Sequence, residues 1–400
     1  MKILILHSEL GVLRGGGENF TRSLFTAFAE RGHQMDAAFV ADLRSKYPIP
    51  IPAGIRPITL AGWWAPDFGQ TELSAIGRCI PSDSRLRREW DRIQQGISWR
   101  TFRWHKARFQ GRVQRTFRNQ WSHFDAAYVH GDAILASEVA RCLPTVLFLP
   151  GPVTAELASE LFATQAVCSN GDALIQIRKF LGDHATELPV GLDHEVFKPG
   201  PTTIRERLGW SIKDRVVGYV GRLHHIKGVD ILSTAFQQVS QLLPNVRLLI
   251  IGSGEEEKNI RSDLADEISR GLVHLERDVD HEGLAEWYRA MDLMVMPSRY
   301  ENFSNSLLEG MACEIPFLGS DIGGNRMMAK TGAGWLFEPG SASSLAGGLR
   351  EVLTNDTQLK HRGRLGFQYV QRHHNWQTSA AHLEAIIARH LANRKEQISA

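Results

Sequence analysis

The sequence has few cysteines, no long apolar run and almost no excess of charge of one sign. Its four cysteines are far apart in the chain and form no CxxC pair: Cys79, Cys142, Cys168 and Cys313. This scarcity argues against a disulfide framework or a zinc site and favours reduced thiols in a cytoplasm. Because no apolar run approaches the ~20 residues needed to cross a bilayer, no membrane-spanning helix is expected. The sequence therefore predicts a cytoplasmic protein.

The small net charge narrows the classes of partner. Lysine and arginine total 46 against 44 acidic residues, a formal net charge of +2. Such a balance argues against a dedicated nucleic-acid-binding protein. The hydrophobic fraction of 43% and the charged fraction of 22% are typical of a globular chain and exclude disorder, collagen and coiled coil. A length of 400 residues suits two domains.

Alternating strands and helices predict an α/β fold with two doubly wound parallel-sheet domains. The first cycle is the apolar run Ile3–Leu6, the glycine loop Gly11–Gly17 and a helix with one apolar face over 18–31. A second cycle starts near residue 215 with an apolar strand that ends at Gly221. Ligands of such folds bind at the carboxyl ends of the strands. We therefore expect two Rossmann-like domains that face each other across a ligand cleft.

Composition indicates where the domains meet. The stretch 188–201 has three prolines and two glycines and predicts a linker. We predict an amino-terminal domain over 1–190, with a basic aromatic insertion near 60–123, and a carboxyl-terminal domain over 200–375. The last helix, 376–400, is expected to pack back on the first domain.

The strongest chemical pattern is the segment 297–309, which follows a predicted strand and continues into an apolar helix. The N-cap residue types at 304–306 are expected to present free amides at the helix start, where phosphate groups bind. Glu301 and Glu309 lie on either side of that start and suit sugar hydroxyls that flank a diphosphate. From spacing alone, the alternative is a solvated loop acid at 301 and a salt bridge at 309.

A second pattern, 221–228, also follows a strand. Arg222 and Lys227 would place two positive charges on one diphosphate. The segment lacks the GxxxxGK[ST] pattern of a Walker A loop. On spacing alone, surface basic residues in a turn are the more common outcome.

Together these segments resemble the donor half of the retaining GT-B-fold glycosyltransferases of family four, the glycosyl transferases group 1. The resemblance covers about 215–340 and includes the G-R-x(4)-K-G turn, the E-x(7)-E loop and helix, and the segment 338–340. It extends into the first half through the glycine loop Arg14–Glu18 and the strand Asp125–His130. The family implies a GT-B fold and a hexosyltransferase that uses a nucleotide sugar.

The resemblance also implies roles at the matching positions. Arg222 and Lys227 would hold the donor diphosphate, Glu309 the ribose and Glu301 the transferred sugar. His130 matches a histidine that faces the donor sugar, although without the resemblance a polar residue that closes a strand is favoured. Of these, His130, Glu301, Arg222 and Lys227 are the predicted catalytic residues. Further donor contacts would come from Gly15, Gly16, Gly254, Val279, Phe303, Ser304 and Asn305.

The sequence departs from the family pattern near the sugar pocket. Asn302 and Ser304 stand where glycines are common, and residues 325–326 are Asn-Arg where Pro-Glu is usual, which leaves the donor sugar open. The D-x-D triplet 278–280 spells a metal-binding motif of another glycosyltransferase fold, and we interpret it as chance because it falls near the expected base pocket. No metal or cofactor is expected, since the cations and the helix start would stabilise the leaving diphosphate.

The resulting prediction is a metal-independent, retaining enzyme that moves a hexosyl-type sugar to a glycan, lipid-linked or small-molecule acceptor. Its donor is a nucleotide sugar, with a UDP-sugar favoured over a GDP-sugar. A nucleotide-sugar 2-epimerase of the same fold is the nearest alternative. A dehydrogenase is weaker, because 252–254 lacks the third glycine of G-x-G-x-x-G. A non-catalytic glycan-binding or membrane-binding protein would keep the fold without needing Glu301 or Lys227.

The segment Arg85–Arg118 has eleven basic and two acidic residues among large aromatics, a net charge of +9. Such a segment suits binding to an anionic membrane, which would place the protein peripherally at the inner face of that membrane. It also suits binding to an acidic acceptor. Equally, the aromatics would pack into the first domain while the arginines face water. Nucleic acid is the least favoured partner, because the whole chain is nearly neutral.

Overall fold

The computed structural model describes residues 1–10, 16–40, 51–60, 104–151, 165–277 and 279–399. The chain divides into two compact units. The first unit consists of Met1–Ser169, Ile177–Thr186 and Ala380–Ala400, and the second of Asn170–Gln176 and Glu187–Ser379. Each unit holds one sheet of the doubly wound type, so the predicted α/β fold with two Rossmann-like domains is confirmed.

The sheet of the first unit has seven strands in the order β3-β2-β1-β4-β5-β6-β7, and its described pairings are parallel. The strands are β1 Lys2–Leu6, β2 Gln34–Val40, β3 Ile55–Leu60, β4 Ala126–His130, β5 Thr145–Phe148, β6 Gln165–Ser169 and β7 Ala185–Glu187. Ile3, Leu4 and Ile5 in the central strand are fully buried. That burial is expected for a parallel strand covered on both faces. The strand order reverses between β1 and β4, whose carboxyl ends carry His7 and His130.

The sheet of the second unit has six parallel strands in the order β10-β9-β8-β11-β12-β13. The strands are β8 Arg215–Val220, β9 Val246–Ile251, β10 Val273–Glu276, β11 Leu293–Met296, β12 Phe317–Ser320 and β13 Gly334–Phe337. Here the order reverses between β8 and β11. Because the ends of neighbouring parallel strands meet at one sheet edge, the loops that follow β8 and β11 are brought together.

Helices connect the strands of both units. In chain order they are α1 Gly16–Glu30, α2 104–117, α3 Ala133–Ala140, α4 Gly171–Leu181, α5 Ile204–Arg207, α6 Val229–Ser240, α7 Glu257–Asp263, α8 Ala265–Ser269, α9 Leu284–Arg289, α10 Asn305–Ala312, α11 Gly323–Ala329, α12 Ala342–Leu353, α13 Asp356–His373 and α14 Trp376–Ser399. In the second unit, buried residues of α6 and α12, among them Leu232 and Leu345, form one hydrophobic core with the sheet.

The glycine loop predicted over Gly11–Gly17 is partly wrong. Helix α1 begins at Gly16, so Gly16 and Gly17 belong to its first turn, whereas Gly15 lies outside the described residues. A Cβ added at Gly17 would lie 3.0 Å from Nε2 of His130, so a side chain there would require the imidazole to shift by a few tenths of an ångström.

The basic aromatic segment is described only from residue 104 onward. In helix α2, Phe109 and Phe117 are buried while Arg108 and Arg115 are exposed. These four residues follow the packing interpretation, whereas Trp104 is 51% exposed. Residues 85–103 lie outside the described residues. Within the described ranges, we find no helix that is both long and apolar enough to pass through a membrane.

Candidate functional site

The loops that follow β8 and β11 carry the predicted cations and one predicted carboxylate. Lys227 lies in the loop 221–228 and Glu301 in the loop 297–304. Lys227 Nζ is 2.7 Å from Glu301 Oε2, and the Glu301 side chain is buried. Glu301 is therefore not a solvated loop acid. Its ion pair joins the two predicted loops at residues 74 positions apart in the chain.

The backbones of these loops are joined as well. The Arg299 N–H donates to the Ile226 carbonyl at 2.8 Å, and the Arg299 guanidinium donates twice to the Asp230 carboxylate, at 2.8 and 2.7 Å. Gly228 has φ 68°, and a Cβ added there would lie 2.1 Å from the Pro297 carbonyl oxygen. Only glycine permits this approach, so Gly228 allows the loops to meet.

Arg222 lies exposed at the start of the same loop. Its carbonyl accepts a hydrogen bond from the Tyr219 hydroxyl at 2.8 Å, which fixes the backbone there. Within the described part of the chain its guanidinium takes part in no ion pair. Arg222 therefore offers an accessible positive charge five residues before Lys227 in the chain.

Helix α10 begins where the sequence predicts a helix start. Ser304 is the N-cap, and its hydroxyl accepts a hydrogen bond from the Leu307 N–H at 3.3 Å. Asn305 is the first helical residue, and Phe303 just before the cap packs its ring 5.8 Å from the ring of His374. The amides of a first helical turn have no partner within the helix and attract anions. This start follows directly on the loop that contains Glu301.

Glu309 lies one turn inside helix α10 and is buried. The Tyr288 hydroxyl donates to Glu309 Oε2 at 2.7 Å. Burial raises the pKa of Glu309 to about 7, and the hydrogen bond from Tyr288 opposes that rise. Within the described ranges Glu309 takes part in no salt bridge. The alternative interpretation of Glu309 as a salt-bridge residue is therefore not supported there.

The loop after β9 contacts the loop after β8. The Leu223 N–H donates to the Ser253 carbonyl at 2.9 Å, and the Glu256 N–H donates to the Leu223 carbonyl at 3.0 Å. A Cβ added at Gly254 would lie 2.2 Å from the Leu223 carbonyl oxygen, so glycine is needed at this predicted donor position. These bonds place Gly254 beside the loop that holds Arg222.

The region expected to hold the base continues after β10. Val279 is half-buried, and Asp278 lies outside the described residues. Asp280 Oδ1 accepts the Gly283 N–H at 2.6 Å, directly before helix α9. Asp280 thus has a structural role at the start of helix α9.

The departures from the family pattern have structural roles inside the second unit. The Asn302 carbonyl accepts the Asp172 N–H at 3.1 Å, and Asn302 Oδ1 accepts the Ala173 N–H at 2.6 Å, so Asn302 caps helix α4. Asn325 is fully buried and donates from Nδ2 to the carbonyls of Met296 and Ser320, at 3.2 and 3.1 Å. Sequence reasoning did not find these contacts, because each joins residues of separate elements.

His130 of the first unit ends β4 and stacks on His7 with ring centroids 4.1 Å apart. Its Nδ1 lies 3.2 Å from Thr21 Oγ1. Burial holds the pKa of His130 well below its usual 6.5, and the neighbouring His7 and Lys106 lower it further. His130 is therefore neutral near pH 7.

The comparisons with known proteins agree with these patterns. Residues 201–368 match the family model described as glycosyl transferases group 1. The match covers 168 of the 400 residues and lies within the second unit. A D-inositol 3-phosphate glycosyltransferase from Thermobispora bispora is 28% identical over 254 residues, which are 61% of this chain and 59% of that protein. The chain thus spans about three-fifths of that relative.

Solved structures are similar over nearly the whole chain. A sucrose-phosphate synthase from Thermosynechococcus elongatus matches with a TM-score of 0.77 and 19% identity, over 98% of this chain and 99% of that one. Anabaena HepE in complex with UDP-glucose matches with a TM-score of 0.71 and 17% identity, over 98% and 100%. At these identities the likeness concerns the fold. It confirms the GT-B fold class that the resemblance implies.

Proposed function

We propose that this chain is a retaining glycosyltransferase that moves a hexosyl residue from a UDP-sugar to an acceptor. The observation that carries the proposal is the Lys227–Glu301 pair, which lies directly before the capped start of helix α10. A cation, a buried carboxylate and a set of helix-start amides are thereby gathered within one unit. They suit the diphosphate and the sugar of one nucleotide sugar.

The chemistry needs stabilisation of the leaving group. When the bond from the sugar to the diphosphate breaks, positive charge develops on the sugar ring and negative charge on the phosphate oxygens. Arg222, Lys227 and the amides at the start of α10 would bind that negative charge without a metal. The acceptor attacks from the face that the diphosphate leaves, which gives retention without a covalent enzyme intermediate. Neither Glu301 nor His130 is then a nucleophile.

The carboxylates and the histidine would bind hydroxyl groups. Glu301, oriented by Lys227, would accept hydrogen bonds from the transferred sugar, and Glu309 would hold the ribose. By the family resemblance alone, His130 would contact the donor sugar. Gly254 and Val279 would lie near the base, and the backbone of 303–305 near the sugar and phosphate.

Support for the donor and the acceptor comes from the similar proteins. HepE is a fold neighbour solved with UDP-glucose, which favours a UDP-sugar. The relative from T. bispora is named for D-inositol 3-phosphate, so a small phosphorylated polyol joins glycans and lipid-linked sugars as a proposed acceptor class. Peripheral contact with an anionic membrane through the exposed arginines of α2, such as Arg108 and Arg115, remains part of this proposal.

The first test is a donor panel with EDTA present. Purified protein is incubated with UDP-glucose, UDP-galactose, UDP-N-acetylglucosamine or GDP-mannose, and release of free nucleotide is measured with and without candidate acceptors. We expect one UDP-sugar to be consumed in an acceptor-dependent way. Isomerisation of the donor without an acceptor would instead indicate the 2-epimerase, and NAD binding would indicate the dehydrogenase.

Two substitutions test the site itself. Lys227→Ala and Glu301→Gln should each lower the turnover at least ~100-fold, since each removes a charged contact made in the transition state. Lys213→Ala and Glu351→Gln, which alter exposed residues of the same unit, should leave the turnover unchanged. Full activity of the first pair would favour a non-catalytic protein that keeps the fold.

A further inference from the structure

Three metal-ligating side chains converge at the carboxyl end of β1, in the first unit. One ligand atom from each of His7, Glu9 and Glu18 lies within 4.8 Å of the other two. His7 and Glu18 are buried, and Glu9 is half-buried. His7 Nε2 faces Glu18 Oε1 at 3.7 Å. An imidazole nitrogen and two carboxylates thus share one small volume.

The other nitrogen of His7 is held by Thr21. The Thr21 hydroxyl donates its single proton to the Gly17 carbonyl at 3.0 Å. Its oxygen also lies 3.2 Å from Nδ1 of His7 and 3.2 Å from Nδ1 of His130. With Nδ1 held by Thr21, Nε2 of His7 is directed at Glu18. Metal-binding histidines are typically held in this way by a partner of the second ring nitrogen.

The position of His7 is fixed by its surroundings. The His7 N–H donates to the Ala38 carbonyl at 3.2 Å, and the His7 carbonyl accepts the Leu10 N–H at 3.2 Å. Its ring stacks on His130 with an interplanar angle of 5°. A ligand on a fixed backbone with a fixed ring loses little conformational freedom when it binds an ion.

We propose that His7, Glu9 and Glu18 bind one divalent transition-metal cation, for which Zn²⁺ or Mn²⁺ has suitable chemistry. Imidazole with carboxylate is a usual donor set for these ions. A tetrahedral ion with bonds of about 2.1 Å holds its ligands about 3.4 Å apart, so small side-chain rotations would close the site. The cation would join the end of β1 to the first turn of α1.

Two cationic side chains, Arg22 and Lys106, also face this cluster. Arg22 Nη1 donates to Asn19 Oδ1 at 3.1 Å, and Lys106 Nζ donates to the Gly131 carbonyl at 2.9 Å. Their charges reduce the affinity for a cation but leave the three ligand atoms facing one another. The proposal does not depend on the transferase activity, because its ligands lie in the first unit and its readout is metal binding.

The test uses Co²⁺ as the probe, since its visible absorption reports the ligands and the geometry. The full chain is stripped with a chelator, dialysed and titrated with Co²⁺, and Zn²⁺ is then added in competition. We expect one equivalent of Co²⁺ to bind with a visible band that Zn²⁺ abolishes. Binding of less than one equivalent, or a spectrum identical to that of aqueous Co²⁺, would overturn the proposal.

Variants locate the ion. Glu9→Gln, Glu18→Gln and His7→Gln should each weaken Co²⁺ binding at least ~tenfold, and Thr21→Val should weaken it ~10–100-fold by releasing the imidazole. Circular dichroism monitors the folding of each variant. Glu9 is half-buried, so Glu9→Gln tests the proposal even if a change at the buried His7 disturbs folding. The exposed controls Glu30→Gln and His123→Gln should bind like the unaltered chain. Unchanged binding in Glu9→Gln and Glu18→Gln would exclude the site.

Discussion

At the scale of single residues, Glu309 links a buried charge to the stability of the second unit. Its pKa is raised to about 7, from an ordinary value of 4.5, because the side chain is buried. Between these values the carboxyl of the unfolded chain ionises while the folded one keeps its proton. The stability from this group is therefore complete below about pH 4.5 and falls as the pH rises toward 7.

This shift predicts the behaviour of Glu309→Gln. The amide stays neutral at every pH and still accepts the Tyr288 hydroxyl, so the variant lacks the loss of stability at higher pH. Relative to the unaltered chain, it should gain up to about 3 kcal/mol between pH 4.5 and 8. Thermal unfolding of both proteins across that pH range measures the difference.

A matched exposed substitution, Glu351→Gln, serves as the control for replacing a glutamate with a glutamine in this unit. A pH-independent difference between Glu309→Gln and the unaltered chain would show that Glu309 ionises in the folded state at its ordinary pKa. The Tyr288 hydroxyl would then donate to an ionised Glu309 carboxylate over this whole pH range.

The sequence predicts candidate site residues but not their partners. Lys227, Glu301 and Glu309 are candidates because they stand in recognisable motifs. The ion pair between Lys227 and Glu301 is not predicted, because it depends on the packing of two loops from different strands. The capping of α4 by Asn302 is missed for the same reason. The roles assigned to these residues stay predictions until substitutions test them.

At the scale of elements, the approach of the loops after β8 and β11 depends on Gly228. Gly209 has nearly the same φ, 69° against 68°, but a Cβ added to Gly209 meets nothing within 4 Å. Gly209→Ala should therefore cost only about 1–2 kcal/mol of backbone strain. Gly228→Ala adds a clash with the Pro297 carbonyl and should cost at least ~3 kcal/mol.

Calorimetric unfolding and donor turnover of both variants check this prediction. Only Gly228→Ala should also lose turnover, because the clash separates Lys227 from Glu301. Equal losses of stability in the two variants would mean that the loops relax without cost, and the close approach would then have no role.

Helix capping gives a second prediction at this scale. Ser304 and Ser341 are both N-caps in the second unit, with side chains that accept the amides of Leu307 and Ser344 at 3.3 and 3.1 Å. Alanine at either position should cost about 1 kcal/mol of stability. Only Ser304→Ala should weaken UDP binding, since it alone disturbs the proposed anion site. Titration calorimetry measures the affinity, and equal affinity in both variants would contradict the placement of the diphosphate at α10.

Regular patterns explain which elements the sequence predicts. Short continuous apolar runs predict β1, β2, β4, β5, β8, β9 and β11 with their bounds nearly correct. The remaining strands, β3, β6, β7, β10, β12 and β13, have three to six residues each and are not predicted by these patterns. Such short segments form strands because a neighbouring strand offers hydrogen bonds, and that information is not local.

At the scale of the whole molecule, each unit collects segments that are distant in the chain. Ala380–Ala400 belongs to the first unit, where Glu384 lies 2.5 Å from Arg31 and 3.5 Å from His33. Asn170–Gln176 belongs to the second unit, although it falls within the predicted first domain over 1–190. Composition alone does not predict that this segment belongs to the second unit, because its assignment depends on a contact between distant residues. That contact is the capping of α4 by Asn302.

This division predicts where a nucleotide changes hydrogen exchange. UDP lacks the transferred sugar of the donor. Its proposed contacts are therefore those to the base, the ribose and the diphosphate, all in the second unit. At about 100 times its Kd, UDP should slow exchange up to ~100-fold in the loops 221–228, 252–256 and 297–309. Strands β1 and β4 of the first unit should exchange as before.

Arg222→Ala should remove most of the protection and Lys213→Ala none of it. Protection centred on β1 and β4 would instead place the nucleotide in the first unit, and the proposed diphosphate site at Lys227 and α10 would be wrong.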